Sequence, residues 1–139
     1  MRRRCGLAVL LPVVVLVGCG HHDSHGTAVN AARVPVMLND VSVATVLGAI
    51  TKAKLPALNP RDTTSTRCPE AGCVVATDTD TVSILKFPST GRAEIYAAGV
   101  PDMLQVEDIV VVFAPTLTRE QKTAYGQVVT KAMLTPAQP

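Results

Sequence analysis

The side chains able to do chemistry in this chain are few and unevenly placed. All three histidines fall within five residues, at His21, His22 and His25. The chain beyond them therefore has no imidazole for acid–base catalysis or metal ligation at neutral pH. With Asp23 they form a cluster that invites a metal ion. Two pairs of acids lie close in sequence, Asp78 with Asp80 and Glu107 with Asp108. A calcium loop starting at Asp78 would need further oxygen ligands and a Glu at its twelfth position, where Ser89 stands, so Asp78-Thr79-Asp80 is expected as a hairpin turn. Glu107 and Asp108, as neighbours on a strand, would point to opposite faces and could not share a site as acid and base; they are expected to mark an exposed strand end or a gatekeeper beside an apolar run. Cys68-Pro-Glu-Ala-Gly-Cys73 lacks the two-residue spacing of a redox-active dithiol. Lys86, Arg92 and Glu94 cluster about a strand-to-helix turn, where Arg92 near a helix amino terminus would suit an anionic ligand or pair with a nearby carboxylate. No phosphate-binding glycine loop, Gly-x-Ser-x-Gly elbow, His-Glu-x-x-His or paired Cys-x-x-Cys occurs. These residues assign no catalytic group and call for no cofactor.

With 139 residues, 47% of them hydrophobic and 17% charged, the chain has apolar side chains for one core and no second domain. Two Tyr, two Phe and no Trp leave little for stacking on bases or sugars. Arg2, Arg3 and Arg4 precede an apolar run of 11 residues, Leu7 to Val17, that ends at Gly18-Cys19. This is the pattern of a secretory signal, and the run is too short for a spanning helix, which needs about 20 apolar residues. Removal of the three Arg would leave ten basic residues against eleven acidic ones, so nucleic acid is not an expected partner.

Leu16-Val17-Gly18-Cys19 resembles the lipobox of bacterial lipoproteins. The resemblance implies a signal peptide over 1–18, cleavage before Cys19, a diacylglyceryl group on its sulfur, and a membrane partner met through that lipid on the extracytoplasmic face. One buried acyl chain holds marginally, at about 0.8 kcal/mol per CH₂, whereas two or three anchor stably. Residues 19–33 then read as the lipidated Cys and a polar tether. In the processed chain a free terminal amine, two amide nitrogens and the His21 imidazole would make a tetragonal site suited to Cu(II) or Ni(II), which acylation of the amine would abolish. Cys5 would leave with the leader and Cys19 would be consumed by lipid, so Cys68 and Cys73 are expected to pair. Their small ring, with the turn formers Pro69 and Gly72, makes a local clip of about 2 kcal/mol.

The elements that must position these residues lie in a single domain over 34–134, followed by a short disordered tail at 135–139. Val43, Val46, Leu47 and Ile50 fall on one helical stripe, predicting a helix from Asp40 to Ala53 with Asn39 as its cap. Residues 56–67, rich in Pro, Thr and Ser, read as a loop. Cys73–Thr77 and Val82–Phe87 predict a hairpin, and residues 92–98 a short helix. Leu104 to Ala114 reads as one strand with a continuously apolar end. Thr118 with Gln121 predicts a capping box opening a last helix on Tyr125, Val128, Val129, Ala132 and Met133. Phe87, Tyr96, Phe113 and Tyr125 are expected in the core. The fold class is α+β, a small two-layer sandwich of a mainly antiparallel sheet with two or three helices, ferredoxin-like if residues 33–37 add a strand. With helices 40–53 and 118–134 on one face, the other face of Ile109–Phe113 is expected to lie partly open to an apolar ligand or a second copy of the chain.

Residues 73–98, including Lys86-Phe87-Pro88-Ser89-Thr90-Gly91-Arg92-Ala93-Glu94-Ile95-Tyr96-Ala97, resemble segments of small mycobacterial and related actinobacterial lipoproteins of unassigned function, a resemblance that brings no catalytic residues with it. The expected function is a non-enzymatic binding or interaction module of the cell envelope, lipid-anchored in the cell membrane and meeting an envelope protein or an apolar ligand. The alternatives are an envelope enzyme or a metal-handling protein using His21, His22 and His25, and a structural surface component with no discrete ligand.

Overall fold

A computed structural model describes residues 39–135 of the chain. The hairpin expected from the β-branched runs is present: β2 (Val75–Asp78) pairs antiparallel with β3 (Val82–Lys86), with Ala76 opposite Leu85. Thr79 shapes the turn, its buried hydroxyl accepting from the Val82 amide at 3.0 Å and donating to the Val82 carbonyl at 2.9 Å. A two-residue strand β1 (Arg61–Asp62) pairs with the other edge of β2.

The expected single strand over 104–114 is instead a second hairpin, β4 (Met103–Val106) and β5 (Ile109–Phe113), folded at Glu107-Asp108 so that Val106 faces Ile109. Two-residue turns usually announce themselves with Asn-Gly or Asp-Gly. Here Glu107 itself adopts the left-handed conformation, φ 53°, so the sequence carries no break to read. β5 inserts between β3 and β4, and the sheet order is β1-β2-β3-β5-β4, antiparallel at every pairing.

Alternation along β3 and β5 sends Val82, Ile84, Ile109, Val111 and Phe113 to one face, where they form a core with α1 (Val43–Lys52) and α4 (Arg119–Leu134). Val43, Val46 and Ile50 are the buried stripe of α1, and Tyr125, Val129 and Met133 that of α4. The capping box is present: Thr118 Oγ1 accepts from the Gln121 amide and Gln121 Oε1 from the Thr118 amide. α1 begins three residues later than expected, and Ser42 caps it, accepting from the Thr45 amide at 3.0 Å. Asn39 is drawn elsewhere.

Leu85, Val110 and Ala76 point to the opposite face, into a second core with Phe87, Ala93, Ala97 and Cys68. α3 (Thr90–Ala97) and α2 (Thr64–Ala71) cover that face. The expected open apolar face is therefore absent: Leu85 and Val110 are fully buried and Val112 is half-buried. With α2 there are four helices among the described residues, where two or three were expected. α2 occupies the end of the expected loop, and it was illegible because Thr-Ser-Thr-Arg-Cys-Pro-Glu-Ala has no apolar stripe and contains Pro69. Cys68 bonds to Cys73, and Gly72 ends the helix in the left-handed conformation at φ 77°.

The α+β class with an antiparallel sheet is thus the one observed. β3, α3 and β4, with β5 between the two strands, form a split βαβ unit, half of a ferredoxin-like repeat. The other half is not formed by β1, α2 and β2, whose strands pair directly and antiparallel. Residues 33–37, the strand on which that topology depended, lie outside the described residues.

Candidate functional site

Two features meet at one corner of the first face, a buried polar cluster and an apolar groove beside it. The strand β3 ends on Lys86, which follows Ile84 on the side facing α1 and is only 4% exposed. Its register partner is Ile109, so the turn residue before it, Asp108, lies beside the ammonium. Asp108 is fully buried, and its Oδ2 stands 2.9 Å from Lys86 Nζ. The contact is an ion pair in distance but not an aligned hydrogen bond, since Asp108 Oδ2 has no hydrogen-bond partner.

The ammonium donates instead to three oxygens, Val41 O at 2.8 Å, Asn39 Oδ1 at 3.1 Å and Asn39 O at 3.3 Å. The Asn39 amide completes the cluster: its Nδ2 donates to Asp108 Oδ1 at 2.6 Å and Glu107 Oε2 at 2.5 Å, and its Oδ1 also accepts from the Val41 amide at 3.0 Å. These bonds explain why Asn39 does not cap α1. They also correct the expectation for the acid pair, because Glu107 and Asp108 form a turn rather than a strand, and both carboxylates converge on one amide. An ion pair this deep is costly to desolvate and is tolerated only where hydrogen bonds satisfy its members.

Beside the cluster, a groove of about 380 Å³ runs between the start of α1 and β2, with Val41, Leu47, Val74, Val75 and Lys86 among its lining. Val74 and Val75 are 44% and 40% exposed, large for β-branched residues at a sheet. Its polar groups are Asp40, Ser42, Thr77 and the already engaged Lys86, a set without an acid–base pair.

The residues singled out from sequence fall as follows. Cys68 and Cys73 are joined, with Cα atoms 4.5 Å apart. Cys19, His21, His22 and His25 lie outside the described residues. Arg92 is exposed on the first turn of α3, and among the described residues it makes no ion pair. The Ser89 hydroxyl accepts from its backbone amide at 3.3 Å, which uses an N–H that an anion would need. Asp78 accepts from Arg67 at 2.8 Å and Asp80 from Asn59 at 2.6 Å, so the first acid holds α2 and the second the loop at Asn59. Among the described residues no three His, Cys, Asp or Glu side chains gather as a metal site, and no helix is long and apolar enough to cross a membrane.

Phe87 stacks at a tilt on Tyr96 with ring centres 5.2 Å apart, and Phe113 meets Tyr125 at 6.2 Å, one pair in each core. The Tyr125 hydroxyl donates to Pro56 O and lies 3.3 Å from Thr81 Oγ1, tying the loop after α1 to the first core. Comparisons with protein-family models, with curated proteins and with solved structures find no match for this chain.

Proposed function

We propose that this chain is an exported lipoprotein held through Cys19 to the outer face of the cytoplasmic membrane, similar in kind to small actinobacterial lipoproteins, and that its folded unit is a non-enzymatic binding module. The Leu16-Val17-Gly18-Cys19 motif supports the anchor, and the Cys68–Cys73 bond accords with an oxidising exterior. The observation that carries the binding role is the groove between α1 and β2. Its volume falls in the range of small-molecule sites, and its walls are the exposed Val74 and Val75 and the half-buried Leu47, with Ser42, Thr77 and the Asp40 carboxylate among its polar groups. Such a lining recognises a linear apolar ligand, of which an acyl chain of an envelope lipid is the simplest.

The test is recovery of the full protein from membranes in mild detergent, organic extraction and lipid analysis by mass spectrometry, with a fluorescent fatty acid as probe. Wild type is expected to bind the probe and Val75→Asp to lose at least tenfold in affinity. Val75 is exposed, so the circular dichroism of the variant should stay native. Probe binding that is absent in wild type, or equal in the variant, would sink the groove as the site. The anchor is tested separately: Cys19→Ala should abolish labelling by a radioactive fatty acid, and an unlabelled wild type would remove the lipoprotein reading.

A further inference from the structure

We propose that Lys86 and Asn39 are a self-crosslinking pair, joined by an intramolecular isopeptide bond whose formation Asp108 catalyses. The proposal does not depend on what the groove binds. It rests on four placements in the polar cluster. The nucleophile, Lys86 Nζ, is 3.1 Å from Asn39 Oδ1, against the amide it would attack. One carboxylate touches both reacting nitrogens, Asp108 Oδ2 at 2.9 Å from Nζ and Oδ1 at 2.6 Å from Asn39 Nδ2. The Val41 amide donates to Asn39 Oδ1 at 3.0 Å, where charge would gather as Cγ becomes tetrahedral. Glu107 Oε2 holds the departing nitrogen from a second side at 2.5 Å.

An ordinary structural ion pair accounts for less. It explains the 2.9 Å contact of Asp108 Oδ2 with the ammonium, but it needs no amide bridging the two partners as Asn39 does, with Oδ1 accepting from Nζ and Nδ2 donating to Asp108 Oδ1. The left-handed backbone at Glu107, unusual for a residue with a side chain, is what holds both acids over the Asn39 amide. Burial of Lys86 and Asp108 shields the nucleophile and the base, with Asn39 half-buried beside them, and the fold supplies the proximity that a bimolecular aminolysis lacks.

The reaction balances without an oxidant or co-reactant. A proton passes from the Lys86 ammonium to Asp108, and the neutral Nζ adds to Asn39 Cγ with charge moving onto Oδ1. The carboxyl group then gives its proton to Nδ2 while taking a second one from Nζ. The Cγ–Nδ2 bond breaks, the carbonyl re-forms and ammonia leaves, with one proton remaining on Asp108. One C–N bond forms and one breaks. The product replaces two buried charges with a neutral amide and a neutral acid, which removes the desolvation cost of the pair.

The experiment is tryptic digestion of the reduced full-length protein and mass spectrometry of the peptides. The expected product links residues 34–52 to residues 68–92, uncut after Lys86, and is one ammonia lighter than the two peptides together. Asp108→Asn is expected to lose the linked product. Free 34–52 with intact Asn39, together with cleavage after Lys86 in wild type, would overturn the proposal, and so would a product one water lighter with Lys86 joined to Asp108. Full crosslinking in Asp108→Asn would overturn the role given to that carboxylate.

Discussion

The two faces of the sheet are stabilised by different means. On the first, α1 of ten residues and α4 of sixteen pack against one another and bury branched aliphatic side chains on the sheet. On the second, α2 and α3 are eight residues each, present mainly alanines and are too short to be stable on their own. There Phe87 and Tyr96 fill the space that larger aliphatic residues fill opposite, and the Cys68–Cys73 bond closes α2 against the start of β2. The lesson is that the face with little apolar helix surface is closed by a local disulfide, whereas the better-covered face has room at its corner for the buried Lys86–Asp108 pair and the long-range Lys86–Asn39 link proposed beside it.

Removing one member of that pair should have the largest effect. Lys86→Ala would remove the ammonium and with it the proposed Lys86–Asn39 bond, leaving Asp108 buried without a partner, and a loss of about 3–5 kcal/mol is expected in urea denaturation. A loss below about 1 kcal/mol would mean that water reaches the carboxylate in the variant.

Breaking the clip should cost less. The double change Cys68→Ser and Cys73→Ser is expected to destabilise by about 2 kcal/mol, as befits a small ring. Hydrogen exchange should show the amides of α2 and β2 exchanging faster while those of α1 and α4 keep their protection. Uniform loss of protection would show that the two faces unfold together.

A smaller effect, of opposite sign, is expected on α4. Gly126 sits inside the helix, and a Cβ there would meet Leu104 Cδ2 at 3.8 Å, an ordinary contact. Gly126→Ala should therefore raise stability by up to about 1 kcal/mol, visible as a higher melting temperature. A decrease would show α4 packed more closely on β4 than this distance allows.

The smallest effect belongs to the second face. Hydrogen bonds from the Thr64 side chain and backbone hold the Asp62 carboxyl below its usual 3.8. A carboxylate whose folded value is lowered adds stability above its unfolded value and loses it as the pH falls through the folded one. Asp62→Asn should thus slightly lower stability at neutral pH and flatten the acid limb below about pH 4 in a thermal melt series. An unchanged acid limb would assign that limb to other carboxylates.

Much of the architecture was legible because it follows from periodicity. The stripes of α1 and α4, the Thr118 capping box and the hairpin across Asp78-Thr79-Asp80 each rest on residues close in sequence. The pairing of Cys68 with Cys73 was legible for the same reason. α2 escaped because its stability comes from the disulfide and from packing on Ala76 rather than from its own pattern. The β4–β5 turn escaped because its left-handed residue is a glutamate, which no turn rule would choose.

Local spacing alone, then, determined the helices with apolar stripes, the first hairpin, the clip and the alternation that divides Ile109–Phe113 between two cores. The meeting of Asn39, Lys86 and Asp108 was decided by tertiary structure, since 47 and 69 residues separate Asn39 from its two partners. No pattern in the chain relates positions that far apart. They come together because β3 ends beside the β4–β5 turn and the segment 39–42 before α1 runs across both, a consequence of sheet order that only packing on the two faces selects.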